Sequence, residues 1–148
     1  MLSYLFIVFV IAVALAPLAH FLPSKRTREV ARMREYAAVH GLFVEFRDLP
    51  AANGSPVAAR DVIYYGKRLP NIRANPVESA AWVRTEVGWR SVGRRLPVPA
   101  SVQELSPEII AASVDQSSCG AYWTESSGEA GVEHIRQILE HWCEALIH

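Results

Sequence analysis

Residues 2–22 read LSYLFIVFVIAVALAPLAHFL, a run without Asp, Glu, Lys or Arg. As a helix this run would be about 31 Å long at 1.5 Å per residue, which matches the hydrocarbon thickness of a bilayer. Pro17 is compatible with a membrane helix, because neighbouring groups or water can satisfy the carbonyl that it frees. The run therefore predicts a transmembrane anchor over residues 1–23.

A basic segment follows the apolar run. Residues 24–40 hold five basic and two acidic residues, a net charge of +3, in a chain whose overall charge is zero. A secretory signal carries its basic residues before the apolar core, so we expect an uncleaved anchor. Basic flanks stay on the cytoplasmic side, which predicts the N-terminus outside and the C-terminal domain in the cytoplasm. The residues predicted to contact lipid or a partner are Lys25, Arg26, Arg28, Arg32 and Arg34.

The basic segment also has the signature of a helix. Ser24 is a good N-cap, and Gly41 is a natural C-terminal stop. Between them, Val30, Met33 and Ala37 form an apolar stripe at helical spacing. We therefore predict a juxtamembrane helix over 24–41 that continues from the anchor.

Short β-prone segments occupy the middle of the chain. They are rich in aromatic and β-branched residues or alternate in polarity, and Gly, Pro or Ser bound them, as is typical of strands. Gly66 and Lys67 are expected to close the second strand. The predicted strands cover 42–47, 62–65, 81–85 and 88–92, with a turn-rich loop over 51–56 and an irregular segment over 69–76.

Two segments leave alternatives open. Residues 77–87 could form a helix instead of a strand. Residues 108–114 follow a helix-starting Pro107, yet residues 116–119 resemble a turn and 120–125 a returning strand. We favour a hairpin for this part of the chain.

The clearest helix of the domain covers residues 129–147, where apolar side chains recur on one face. Such a face packs against a sheet, so residues 42–148 predict a cytoplasmic α+β domain: a small antiparallel sheet covered by a C-terminal amphipathic helix. The residues of the apolar face are Val132, Ile135, Leu139, Trp142 and Leu146.

Signatures of chemistry are weak. His141, Glu144 and His148 share a helix face, seven residues after His134, but HExxH is absent and helix ends fray, so we interpret them as surface residues. The sequence has no Gly-rich phosphate loop and no nucleophile motif. Without a basic surplus beyond residue 40, nucleic acid is not expected as a partner. We expect no catalytic residue, cofactor or metal, and a hydrolase using these histidines is the weakest alternative.

One pair of motifs suggests a ligand. Arg90-Ser91-Val92-Gly93-Arg94 and Asp115-Gln116-Ser117-Ser118-Cys119-Gly120 resemble the RxxxR and DxSxxG motifs of PilZ domains, which bind cyclic di-GMP. That resemblance implies that arginines grip the phosphates and guanine, while the Asp-Ser turn presents hydrogen bonds. PilZ domains continue as a β-barrel beyond the second motif, whereas here mostly one predicted helix follows. A membrane-anchored cyclic di-GMP sensor is therefore the alternative function, through Arg90, Arg94, Asp115 and Ser117.

A wider resemblance covers the general layout of the chain. Pro23-Ser24-Lys25-Arg26 after the apolar run, Arg32-Met33-Arg34 before Gly41-Leu42, and Leu96-Pro97 followed by 120–125 resemble small single-span membrane proteins of Pseudomonas-like gammaproteobacteria. Some of these are identified as YajC-type preprotein translocase subunits, which have one membrane helix, a basic flank and a small β-rich cytoplasmic domain and associate with SecDF. The resemblance implies a non-enzymatic accessory or docking module of a membrane complex in the inner membrane. This chain differs from YajC in its longer soluble part and its C-terminal helix.

Overall fold

The computed structural model describes residues 1–51, 61–71 and 76–148. Most of the predicted loop over 51–56 and residues 72–75 of the predicted irregular segment lie outside the described residues. The helices are α1 (Leu2–His20), α2 (Lys25–Val39), α3 (Ala100–Gln103) and α4 (Gly128–Ile147). The strands are β1 (Leu42–Glu45), β2 (Ile63–Arg68), β3 (Ala80–Thr85), β4 (Gly88–Ser91), β5 (Ala111–Val114) and β6 (Ser118–Trp123).

Helix α1 is long and apolar enough to cross a membrane. None of its residues is buried against the rest of the described chain. The helix continues past Pro17 to His20, which is consistent with the tolerance of membrane helices for proline. Four residues separate it from α2.

The strands form one antiparallel sheet in the order β1-β2-β6-β5-β3-β4. This confirms the predicted α+β fold and the β3–β4 pair, so the helical alternative over 77–87 does not form. The β5–β6 hairpin is also present. The residue before β5 already pairs with both neighbouring strands. The Ile110 amide donates to the Tyr122 carbonyl, and the Ile110 carbonyl accepts from the Arg84 amide.

The predicted end of the second strand at Gly66 and Lys67 is wrong. β2 continues to Arg68, and Gly66 lies directly opposite Gly120 of β6 in the middle of the sheet. A Cβ atom at Gly66 would meet the rings of Tyr64 and Phe43, at 2.5 and 2.6 Å. These glycines therefore make room for aromatic rings that lie against the strands, and they do not end the strand.

Helices α2 and α4 pack against each other, and both contact the sheet. The predicted apolar face of α4 is buried except for Leu146, which is partly buried at the edge of the core. Ile138 and Cys143 widen the buried face beyond the prediction. From α2, Met33 and Ala37 enter the same core, so the basic helix is an integral part of the domain.

The short helix α3 was not expected from the sequence. Pro99 is its N-cap, with φ −58° and ψ 145°, and such a non-helical backbone is typical of the residue before a helix. The Arg84 side chain then donates to the carbonyls of Leu105, Ser106 and Ile109 at 2.8–2.9 Å. This holds the segment between α3 and β5 against β3.

Candidate functional site

Helix α2 connects the apolar helix to the sheet. The Ser24 side chain accepts a hydrogen bond from the Thr27 amide at 3.2 Å, as expected of an N-cap. At the other end Gly41 has φ +82°, a conformation that glycine adopts without steric cost. The chain turns there directly into β1, so α2 joins α1 to an edge strand of the sheet.

The five basic residues of α2 divide into two groups. Arg26 and Arg34 lie on the side of α2 that faces the domain, and their guanidinium groups donate to it. The other three are exposed, and their side chains have no hydrogen bond or ion pair with any described residue. These three are Lys25, Arg28 and Arg32.

The first group donates hydrogen bonds to the segment around the buried residue Glu125. Arg34 donates to both oxygens of Glu125, at 2.9 and 3.1 Å, and the Tyr65 hydroxyl donates to Oε1 at 2.7 Å. Arg26 donates to the backbone carbonyls of Glu125 and Thr124, at 2.8 and 2.9 Å. We call Arg26, Arg34, Tyr65 and Glu125 the juxtamembrane clasp, because together they bind α2 to the sheet and to the segment before α4.

Within the clasp, burial and the Glu125 carboxylate shift the pKa values of the two side chains that donate to this carboxylate. The Glu125 side chain is only 6% exposed, whereas that of Arg34 is 37% exposed. The hydrogen bond that Arg34 donates to Glu125 is the main cause that raises the pKa of Arg34. Burial raises the pKa of Tyr65, and the Glu125 carboxylate adds to this shift. Both donors therefore keep their protons at neutral pH, and Glu125 has its bonds without a bound ligand.

Glu125 also has an unusual backbone. Its φ is +55°, a left-handed conformation that costs a residue with a Cβ atom about 1 kcal/mol. Such conformations persist where surrounding contacts over-determine them. The clasp supplies these contacts, since the side chain and the carbonyl of Glu125 are both hydrogen-bonded to α2.

An open cleft of about 1030 Å³ lies between α2 and the segments that flank β1 and β2. The clasp arginines form one wall, and Phe46, which is 83% exposed, stands beside Arg34 with the guanidinium carbon 5.6 Å from its ring centroid. Cations, carboxylates and apolar groups therefore meet in one concave surface beside α2. The lining residues are Arg26, Val30, Arg34, Phe46, Arg47, Asp48, Asp61, Val62, Ile63, Thr124, Glu125 and Ser126.

The second face of the sheet carries a smaller cluster around Tyr64. The Arg47 guanidinium lies 4.0 Å from the Tyr64 ring centroid and 3.6 Å from Asp115. The Tyr64 hydroxyl hydrogen-bonds to Ser118 at 3.3 Å. Burial raises the pKa of Tyr64 to about 12, so this phenol is a structural group and not an acid or base near neutral pH.

The proposed cyclic di-GMP residues lie in two separate places. Arg90 is on edge strand β4, and its side chain has no hydrogen bond or ion pair with any described residue, whereas Arg94 pairs with Glu78. Asp115 is in the β5–β6 turn, where the Ser117 amide and hydroxyl donate to Oδ1 at 2.7 and 2.6 Å. Burial raises the pKa of Asp115, but the hydrogen bonds from Ser117 and Ser118 outweigh this effect and leave the pKa below its ordinary value. The Asp115 carboxylate is thus bound within the turn and by Arg47, and strand β3 lies between β5 and β4 in the sheet.

The histidines of α4 do not form a metal centre in the described part of the chain, which contains no group of three potential ligands. His141 Nδ1 donates to the Gln137 carbonyl on its own helix, at 3.0 Å. His134 differs from the prediction of a surface residue, because its Nε2 atom is buried.

The comparisons with known proteins give no relative. No family model, curated protein or solved structure matches the chain. Function is therefore inferred from the geometry and charge of the site.

Sequence analysis missed the centre of this site. Glu125 is the last residue of the predicted strand 120–125, and Tyr65 lies in the predicted strand 62–65, and neither residue was singled out as a site residue. The available signal was the excess of arginines in α2, which can be read as a membrane flank or as partners for buried acids. The structure shows that both kinds of arginine are present in one helix.

Proposed function

We propose that this protein is a non-enzymatic, single-span protein of the bacterial inner membrane, whose cytoplasmic domain is an accessory or docking module of a larger membrane complex. The observation that carries the proposal is the juxtamembrane clasp. It attaches the domain to the helix that follows α1 through hydrogen bonds at 2.8–3.1 Å. A domain attached in this way presents a defined surface to neighbouring membrane proteins.

The cleft is the surface that we propose for the partner. It lies beside the membrane-proximal end of α2 and combines exposed Phe46 with arginines and carboxylates. Aromatic and arginine side chains contribute most to the energy of protein interfaces. A partner segment with apolar and charged groups would suit this lining, and the translocase-type complex suggested by the YajC resemblance is one instance.

Site-specific photo-cross-linking in native membranes tests the proposal. A photo-reactive amino acid replaces Phe46 in the cleft of the full-length protein, and the control replaces Val87, which is 98% exposed in the β3–β4 turn at the other edge of the sheet. We expect a membrane protein to be cross-linked from position 46 and not from position 87. Mass spectrometry then identifies it, and SecDF components would support the translocase role.

An absence of specific adducts at position 46, or the same adducts at both positions, would contradict docking through the cleft. An anchor fragment of residues 1–41 provides a second control for contacts made by the membrane helix alone. Co-purification of the same complex with this fragment would show that the domain is not the docking part.

The cyclic di-GMP sensor is the alternative, and it rests on Arg90, Arg94, Asp115 and Ser117. Calorimetry of the detergent-solubilised protein with cyclic di-GMP separates the two functions. The sensor predicts heat of binding that is lost in Arg94→Gln, whereas the docking module predicts no heat.

A further inference from the structure

The three basic residues that the clasp leaves free lie on one face of α2. Lys25, Arg28 and Arg32 are spaced i, i+3 and i+7, so their side chains share one side of the helix. Met33 and Ala37 are buried on the side that faces the domain. The three free residues are exposed, and Arg32 borders a shallow pocket that Tyr36 and Glu129 of α4 also line. We call Lys25, Arg28 and Arg32 the free basic face.

We propose that the free basic face binds the headgroups of anionic phospholipids in the membrane that α1 spans. This inference rests on the proposed anchoring and names the ligand of a surface distinct from the cleft. The phosphate oxygens of such headgroups are the acceptors that guanidinium and ammonium groups prefer. Each basic residue near an anionic membrane surface contributes about 1 kcal/mol, a factor of roughly five in affinity.

The position in the chain supports lipid as the occupant. Residues 21–24 are the whole connection between α1 and α2, and four residues span at most about 14 Å. The three cations are then spread over about 10 Å of helix, at 1.5 Å per residue. A surface so close to a spanning helix meets lipid headgroups before any soluble anion.

The neighbouring charges leave this surface positive at the end near α1. Glu29 is the acidic residue among the three cations, and Glu35 lies almost a turn beyond Arg32, farther from α1. Glu129 of α4 lines the same shallow pocket as Arg32, at the end of this surface far from Lys25. All three acids are exposed, and screening by water and salt limits how far they offset the cations. The surface therefore has the charge that complements an anionic headgroup.

Other side chains of α2 hold the helix in place against the domain. The clasp binds it at Arg26 and Arg34, and farther along the Tyr36 hydroxyl donates to Glu133 of α4 at 2.7 Å. Because α2 cannot roll without breaking these bonds, headgroups bound to the free basic face would orient the whole domain and its cleft relative to the bilayer.

Spin-labelled lipids in proteoliposomes test this inference. Full-length protein is reconstituted in equal parts of phosphatidylcholine and phosphatidylglycerol, and the motionally restricted fraction of each spin-labelled lipid is measured. The variant is Lys25→Gln with Arg28→Gln and Arg32→Gln. The matched control is Lys67→Gln with Arg68→Gln and Arg95→Gln, which removes the same number of lysines and arginines from the sheet and the loop after β4.

The wild type and the control should prefer phosphatidylglycerol severalfold, and the preference should fall nearly to unity in the variant and with rising salt. The inference is overturned if the wild type has no preference, if the variant keeps it, or if the control loses it equally. Flotation of the protein with vesicles of phosphatidylcholine alone measures membrane anchoring independently of the preference for anionic lipid. A chain that fails to float there contradicts both proposals, whereas one that floats without a lipid preference contradicts only this one.

Discussion

At the scale of single residues, Glu125 joins three parts of the molecule. Its side chain is only 6% exposed, and its carboxylate accepts three hydrogen bonds from two side chains. Hydrogen bonds to a charged group are worth more than neutral ones, and a donor left without its partner adds the cost of desolvation. Glu125 should therefore contribute more to stability than the exposed ion pairs of α4.

We expect Glu125→Gln to lower the free energy of unfolding by about 2 kcal/mol, because it weakens the bonds from Arg34 and Tyr65. Chemical denaturation of the detergent-solubilised protein, followed by tryptophan fluorescence, measures the change. Glu140→Gln is the control, since the exposed pair of Glu140 with Arg136 should be worth under about 1 kcal/mol. An equal effect of the two substitutions would show that the clasp is not a special contact.

Gly120 matters for stability because a larger side chain does not fit at its position. A Cβ atom there would collide with the ring and hydroxyl of Tyr64, a side chain with no solvent exposure. We expect Gly120→Ala to destabilise the protein by about 1–3 kcal/mol through overpacking. In a Tyr64→Leu background the same substitution should cost less, and denaturation of the four proteins of this cycle measures the difference. A cost independent of residue 64 would contradict the steric explanation.

At the scale of elements, α4 provides the apolar layer that covers the sheet. Leu139 on this helix has no solvent exposure, and a charge placed there would have no partner in the apolar core. We expect Leu139→Asp to prevent folding, because the cost of an unpaired buried charge rivals the whole stability of a small domain. Ala145→Asp, at an exposed position of the same helix, is the control. Circular dichroism and limited proteolysis would reveal a folded Leu139→Asp protein, which would mark that face as exposed.

The contact between α2 and α4 should depend on pH. Hydrogen bonds from Arg136, then Tyr36, lower the pKa of Glu133 to about 2, from an ordinary value of 4.5. A carboxylate with a lowered pKa in the folded state contributes stability above its unfolded pKa, and this contribution is lost as pH falls from about 5 toward 2. Melting temperatures of the wild type and Glu133→Gln across this range should converge at low pH. A constant difference between them would contradict the assignment.

At the scale of the whole molecule, the topology of the membrane span is the main prediction. A C-terminal domain in the cytoplasm predicts that green fluorescent protein fused after His148 fluoresces and that alkaline phosphatase fused there is inactive. Basic residues beside the span set this orientation. Fusions placed before Met1 serve as the control and should show the opposite pattern. Active phosphatase at the C-terminus would overturn the orientation.

The sequence by itself determined the elements whose signals are local. The apolar length of α1, the Ser24 cap and Gly41 stop of α2, and the apolar periodicity of α4 each depend on residues within a few turns. The β3–β4 pair was likewise predicted because its strands are joined by a short turn. The α+β class followed from these elements, since their apolar faces require one another.

Only the tertiary structure decided how these elements use their polar and small residues. Which arginines of α2 remain free depends on Glu125, 91 residues from Arg34 along the chain, and no local pattern encodes such a pairing. The role of Gly66 likewise depends on Gly120 across the sheet. Local propensity specifies helices and strands, whereas burial and pairing between distant segments decide where a charge is satisfied and where it is left to bind something else.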